Sequence, residues 1–274
     1  MIPLVRAEVL KYVTTRTSWG LTLGMFLTGA GFAALFGGLI IYGDILDGIK
    51  LVDVVPELTL ARIVYTAGIQ FGYLLALIIG ILSIGQEFRH KTISGTFLAT
   101  PKRERVIGAK VVALVVIAAV SGLVHVIGML IGGGIILATA DLPVYPDPGQ
   151  LTKTLLLVLL VLALWSLIGL GIGVLIPNQV AALSIAIAFA WILEPLVGFF
   201  LTFADWGDAL ARYFPSQATA ATLDVFTGTD AQLTQALGGA ADPLAWWTAA
   251  LVLLAYAAAM ATLGLVRTRT RDIA

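Results

Sequence analysis

Long apolar runs alternate with short polar connections along this chain of 274 residues. Six runs, at about 19–42, 63–85, 111–138, 155–176, 180–203 and 244–266, have the length of a membrane span. A helix needs roughly 20 apolar residues to cross about 30 Å of hydrocarbon. None of the runs alternates apolar and polar residues in the way a membrane-barrel strand does. The pattern predicts an all-α integral membrane protein, one transmembrane domain over 1–274, with six transmembrane helices. The first run is too long, and starts too far from the N-terminus, for a signal peptide, so it reads as a retained span.

The connections carry their own patterns. Ile2, Val5, Val9 and Tyr12 recur at helical spacing while Arg6, Glu8 and Lys11 fall elsewhere, which predicts an amphipathic interfacial helix over 2–17. Only Pro177, Asn178 and Gln179 separate spans four and five, so these are predicted to be antiparallel neighbours. In the long connection 204–243, Trp206, Leu210 and Tyr213 predict a short surface helix that stops before Pro215. A second short helix is expected over 217–226, closed by Gly228. The pairs Gly20/Gly24, Gly68/Gly72, Gly128/Gly132 and Gly169/Gly173 are each four residues apart. Such spacing lets helices approach closely in lipid, either within the chain or at a dimer seam.

Composition narrows the class. Hydrophobic residues make up 59% and charged residues 12%, against about 25% charged in a soluble domain. With a mean hydropathy of +1.01, neither a water-soluble globule nor a disordered chain is expected. Sixteen basic and sixteen acidic residues cancel, so nucleic acid is not an expected partner. The absence of cysteine excludes disulfides, thiolate metal sites and cysteine nucleophiles. Two histidines, His90 and His125, are too few for a histidine-rich metal site. No catalytic, cofactor or metal residues are expected in this chain.

Charge placement sets the predicted topology. Twelve of the sixteen basic residues lie before span one, between spans two and three, or after span six. The excess of Lys and Arg on inner loops predicts cytoplasmic termini and an external 204–243 connection.

ATP chemistry of its own is excluded by sequence. A Walker A loop needs glycine-rich backbone amides and a lysine around phosphates, and no Gly-Lys pair exists here. The nearest approach, Gly108-Ala109-Lys110, has no such loop before it. The serine-hydrolase elbow and the zinc-protease motif are also missing.

The informative stretch is 86–110, between spans two and three. Glu87, Arg89, His90 and Lys91 leave span two, and 92–98 can form a short helix with Ile93, Phe97 and Leu98 on one side. Thr100 suits an N-cap, Pro101 a first helical residue, and Glu104 the first turn of the helix that becomes span three. The pattern Glu87, Arg89, Thr92, Leu98, Thr100, Pro101, Gly108 and Lys110 resembles that of the ABC type-2 permeases of exporters. Lys91 stands where a glycine is common in that family. The resemblance extends to six spans, an amphipathic N-terminus and a long outer segment before span six.

This resemblance implies that 92–98 is a coupling helix docking into a separate ATP-binding cassette subunit. Glu87, Arg89, Thr92, Phe97, Leu98, Thr100 and Pro101 would serve that coupling. It also implies two permease chains and two ATPases, with ATP and Mg in the partner subunit. The expected location is a bacterial or archaeal plasma membrane, with lipid as the surroundings. The expected cargo is hydrophobic or amphipathic: a drug, antibiotic, lipid or peptide. A secondary transporter, or a membrane partner that moves nothing, remains open.

Two polar residues lie inside spans. Glu194, followed by Pro195, falls about 14 residues, or roughly 21 Å, into span five. A carboxylate there must be paired, solvated or protonated. Glu194 and Pro195 are candidates for a gate or translocation point, and a hydrogen bond to Trp, Thr or freed backbone is the alternative. His125, near the middle of span three, is a translocation candidate or a packing residue.

Overall fold

The computed structural model describes residues 2–43, 50–90, 103–204, 206–227, 229, 234 and 242–270. Among these the protein is all-helical, with no strand. Six helices are long and apolar enough to cross a membrane. They are Arg16–Tyr42, Ile69–Arg89, Gly108–Thr139, Pro148–Leu175, Gln179–Leu201 and Trp246–Gly264, spans one to six. With six crossings, both ends of the chain lie on one face of the bundle, called here the terminal face.

Local sequence explains where the helices begin. The N-terminal helix Ile2–Val13 ends at Thr14, and Thr15 then caps span one by accepting from the Ser18 amide. Asp147 caps span four through the Gln150 amide, with Pro148 as first helical residue. Asn178 caps span five by accepting from the amides of Val180 and Ala181. The polar triplet between spans four and five therefore works as a turn.

Span two differs from its predicted start at 63. A separate helix, Glu57–Thr66, precedes it, and Ile69–Arg89 follows after a break at Ala67 and Gly68. A Cβ on Gly68 would stand 2.7 Å from the Phe32 Cβ and 2.9 Å from the Thr28 carbonyl oxygen. The tight crossing with span one selects glycine at this break. Helix Glu57–Thr66 is fixed from inside: Tyr65 Oη donates to the Val144 carbonyl at 2.7 Å, and buried Arg62 donates to Gln150 at 3.2 Å.

Span four is the most enclosed of the six, and spans five and six are largely exposed. Span two packs along span four, span one along span three, and span six along the other side of span four. The glycine pairs mostly serve these internal crossings. A Cβ at Gly132 would lie 2.0 Å from the Ala30 carbonyl oxygen, and one at Gly169 would lie 2.1 Å from that of Leu77. Gly20 faces open space instead. Spans four and five run antiparallel, but span five leans on span two more than on span four. The sequence-based expectation of close neighbours is corrected to that extent: a short turn fixes direction, not the packing partner.

On the far face, short helices Gly207–Ala211 and Pro215–Thr222 precede span six. The second begins at Pro215, two residues before its predicted start, because proline is favoured in a first helical turn. It ends at Thr222, short of the expected 226.

Candidate functional site

Two polar centres stand out in this apolar bundle, one on each face. On the terminal face, four charges close a ring. Lys110 Nζ lies 2.6 Å from Glu8 Oε2 and 2.9 Å from Glu87 Oε1. Lys11 Nζ lies 2.7 Å from Glu8 Oε1 and 2.8 Å from Glu87 Oε1. The N-terminal helix, the end of span two and the start of span three are thereby tied together. Lys110 is 2% exposed and Lys11 52% at the side chain, so the ring runs from the bundle interior to its surface. Burial pulls the Lys11 ammonium down, but its hydrogen bonds to Glu8 and Glu87 and their charges outweigh this and hold its pKa above the ordinary lysine value. A cavity of about 70 Å³ adjoins the ring, lined by Tyr12, Ser83, Gln86 and the four charged residues. Glu87, whose Oε2 has no hydrogen-bond partner among the described residues, lines it. The space and the polar lining suit water.

Sequence reasoning singled out Glu87 and Lys110 but placed Glu8 with the charges facing away from the apolar stripe. The structure corrects this: Glu8 turns into the bundle. The signal was present, because Val5, Glu8, Val9 and Tyr12 follow i, i+3, i+4, i+7. A single acid on an otherwise apolar helical stripe calls for a partner opposite it, a cation or a hydrogen-bond donor.

Arg89 is exposed at the end of span two, beside the ring but outside it. Thr92, Phe97, Leu98, Thr100 and Pro101 lie outside the described residues.

The far-face centre is built around Glu194. The residue is 4% exposed, and its Oε1 accepts from the Ser216 backbone amide at 2.6 Å. Ser216 is the second residue of helix Pro215–Thr222. The acid of span five thus satisfies an amide at a helix start, where the helix dipole also favours negative charge. Pro195 cannot donate to the helix, and span five answers with a π turn over Phe189–Leu193, in which the Glu194 amide reaches the Phe189 carbonyl.

Further ties hold the same outer segment. Trp165 Nε1 donates to Thr219 Oγ1 at 2.8 Å, and Lys153 pairs with Asp224 at 2.6 Å. Spans four and five therefore both grip the cap formed by 213–226.

His125 is fully buried between spans. Its Nδ1 stands 2.8 Å from the Met25 carbonyl oxygen, which can only accept, so Nδ1 is the donor. A Cβ on Gly72 would come within 2.7 Å of its Nε2. The residue occupies a close three-helix contact and belongs to neither polar centre.

No family model matches the chain, and none of the curated proteins compared with it is similar. Among the described residues, no group of His, Cys, Asp or Glu is arranged to hold a metal ion.

Proposed function

We propose that this chain is the transmembrane permease subunit of an ATP-driven exporter. It works with a separate ATP-binding cassette subunit and a second permease chain, and carries a hydrophobic or amphipathic substrate across the plasma membrane. The observation that supports this most is the Glu87–Lys110 contact of 2.9 Å, which joins residues 23 positions apart. It ties the end of span two to the start of span three, the two helices between which 91–102 falls in sequence. A force applied there reaches spans two and three together. Through Glu8 it also reaches the N-terminal helix, which this reading lays along the membrane interface.

In this reading Glu87 acts from within as a positioning residue, while Phe97 and Leu98 make the apolar contact with the ATPase. Glu194 and Pro195 act at the far face, where a π turn meets the external cap, and mark the exit gate. His125 holds the crossing of spans one, two and three against which the moving parts turn. The test is affinity purification of the tagged chain from its native membrane. The wild type is expected to bring down an ATP-binding subunit with ATPase activity. Phe97→Ala with Leu98→Ala should reduce that recovery at least about tenfold while the chain remains inserted, because a few buried apolar anchors dominate an interface. Recovery of the ATPase undiminished by the double change contradicts the assignment.

A further inference from the structure

The far face also contains a cavity of about 470 Å³ that no part of the preceding reading uses. Its walls come from three places: Phe36 and Ile40 of span one, Ile63 to Tyr73 around the break before span two, and Ser216 to Phe226 of the cap. The volume falls within the range of about 300–1,000 Å³ typical of small-ligand sites. The lining is mainly apolar, with Thr66, Gln70, Tyr73, Ser216 and Thr219 as polar points, and Thr219 Oγ1 is engaged by Trp165 and the Pro215 carbonyl. Among the described residues, no Lys, Arg, Asp or Glu lines it. Thr66 Oγ1 is already committed to the Arg62 carbonyl, whereas Gln70 is exposed.

The walls are held in place. Tyr73 stacks on Trp165 with ring centroids 4.3 Å apart, and Trp165 in turn donates to Thr219 of the cap. Phe32 stacks on both Phe36 and Phe71, which backs the span-one side. Glu194 fixes Ser216 from behind and does not itself line the space. Next to Phe36 and Ile40, Leu35 and Leu39 are exposed, as expected where hydrocarbon meets span one.

We propose that this cavity is a binding site for a neutral amphiphile that enters from the lipid leaflet. Its apolar body packs on Phe36, Ile40, Ile63 and Phe226, and an uncharged hydrogen-bonding head meets the Gln70 amide. An anionic head finds no cation on the walls and meets the carboxylate of Glu194 behind them, so burying it there is unfavourable. A preformed pocket loses little conformational freedom on binding, which favours occupancy. The site stands whether or not the chain is an exporter.

The test uses the full chain in lipid nanodiscs with two photoactivatable probes of identical acyl chains, diacylglycerol and phosphatidic acid. Labelled peptides are mapped by mass spectrometry. The diacylglycerol probe is expected to label 63–73 and 216–226 in preference to the anionic probe. Ala220→Trp, on the exposed side of the cap helix, fills the cavity and should lower that labelling about tenfold. Thermal stability, and background labelling of Gln179–Leu201, should be unchanged. Gln70→Leu leaves the cavity open but removes its polar handle, and should lower neutral labelling about threefold to tenfold, the worth of one hydrogen bond. Equal labelling by both probes at these peptides overturns the proposal, as does labelling that neither substitution reduces. If Ala220→Trp does not fold, Gln70→Leu decides alone.

Discussion

The two polar centres solve the same problem in different ways. On the terminal face, two acids and two lysines pair with one another in a ring that spans three helices. On the far face, one acid has no cation beside it among the described residues; its Oε1 accepts from the amide at the start of a short helix, and its Oε2 has no partner among those residues. The ring is symmetric in charge and fixes distances between helices. The Glu194 contact is a single directional bond between span five and a cap that Trp165 and Lys153 of span four also hold. An element that must transmit force needs the first kind of joint, and an element that must open needs the second. The proposed function therefore assigns the transmitting joint to the terminal end and the gate to the far end.

An all-or-none experiment can break this division outright. The chain has no native cysteine, so single introduced cysteines report topology cleanly. A cysteine at Asp242 should react with an impermeant maleimide applied to whole cells, and one at Arg269 should react only after the membrane is opened. The reverse pattern would put the ring outside the cell, where no ATPase can reach it.

Removing one ring member should cost the most stability. Lys110→Met leaves Glu8 and Glu87 buried with only the exposed Lys11 between them, and should lower stability by about 3–5 kcal/mol. Adding Glu8→Leu and Glu87→Leu should restore much of the loss, since an apolar replacement of a whole buried ion cluster is often neutral. Thermal unfolding in detergent measures both. A small effect of Lys110→Met would show that the ring is solvated rather than structural.

Glu194 should respond more weakly and in a different currency. Glu194→Leu leaves the Ser216 amide without its acceptor, a loss of about 1–3 kcal/mol, and should also cut substrate efflux. Glu194→Gln keeps an acceptor oxygen and should stay within about 1 kcal/mol of wild type. Efflux measured beside stability separates the roles. If Glu194→Leu is more stable and exports normally, the cap contact is dispensable and the contrast with the ring collapses.

Much of this architecture was legible from local pattern. The six apolar runs fall on the six long helices, because length and hydropathy alone decide membrane insertion. Asn178 was visible as part of a turn, and its side chain caps span five. The break before span two was not legible, since 63–85 reads as one apolar run and the close approach to span one that selects Gly68 is a tertiary contact. The partner of Glu194 was also hidden. It is a backbone amide 22 residues away, and any residue except proline supplies one. The inward turn of Glu8 was readable from its spacing with Val5, Val9 and Tyr12, but it gained meaning only once Lys110 was placed opposite it.

The central claim is that the segment between the two spans tied by the ring meets an ATP-binding subunit. A photoreactive amino acid at Phe97, activated in intact membranes, tests it most directly, with the same residue at Phe200 on the far side of the bundle as control. The account predicts a covalent adduct at position 97 whose partner binds ATP, with none from position 200. An ATP-binding adduct from position 200 instead, or none from position 97 while an ATPase copurifies with the chain, would contradict it.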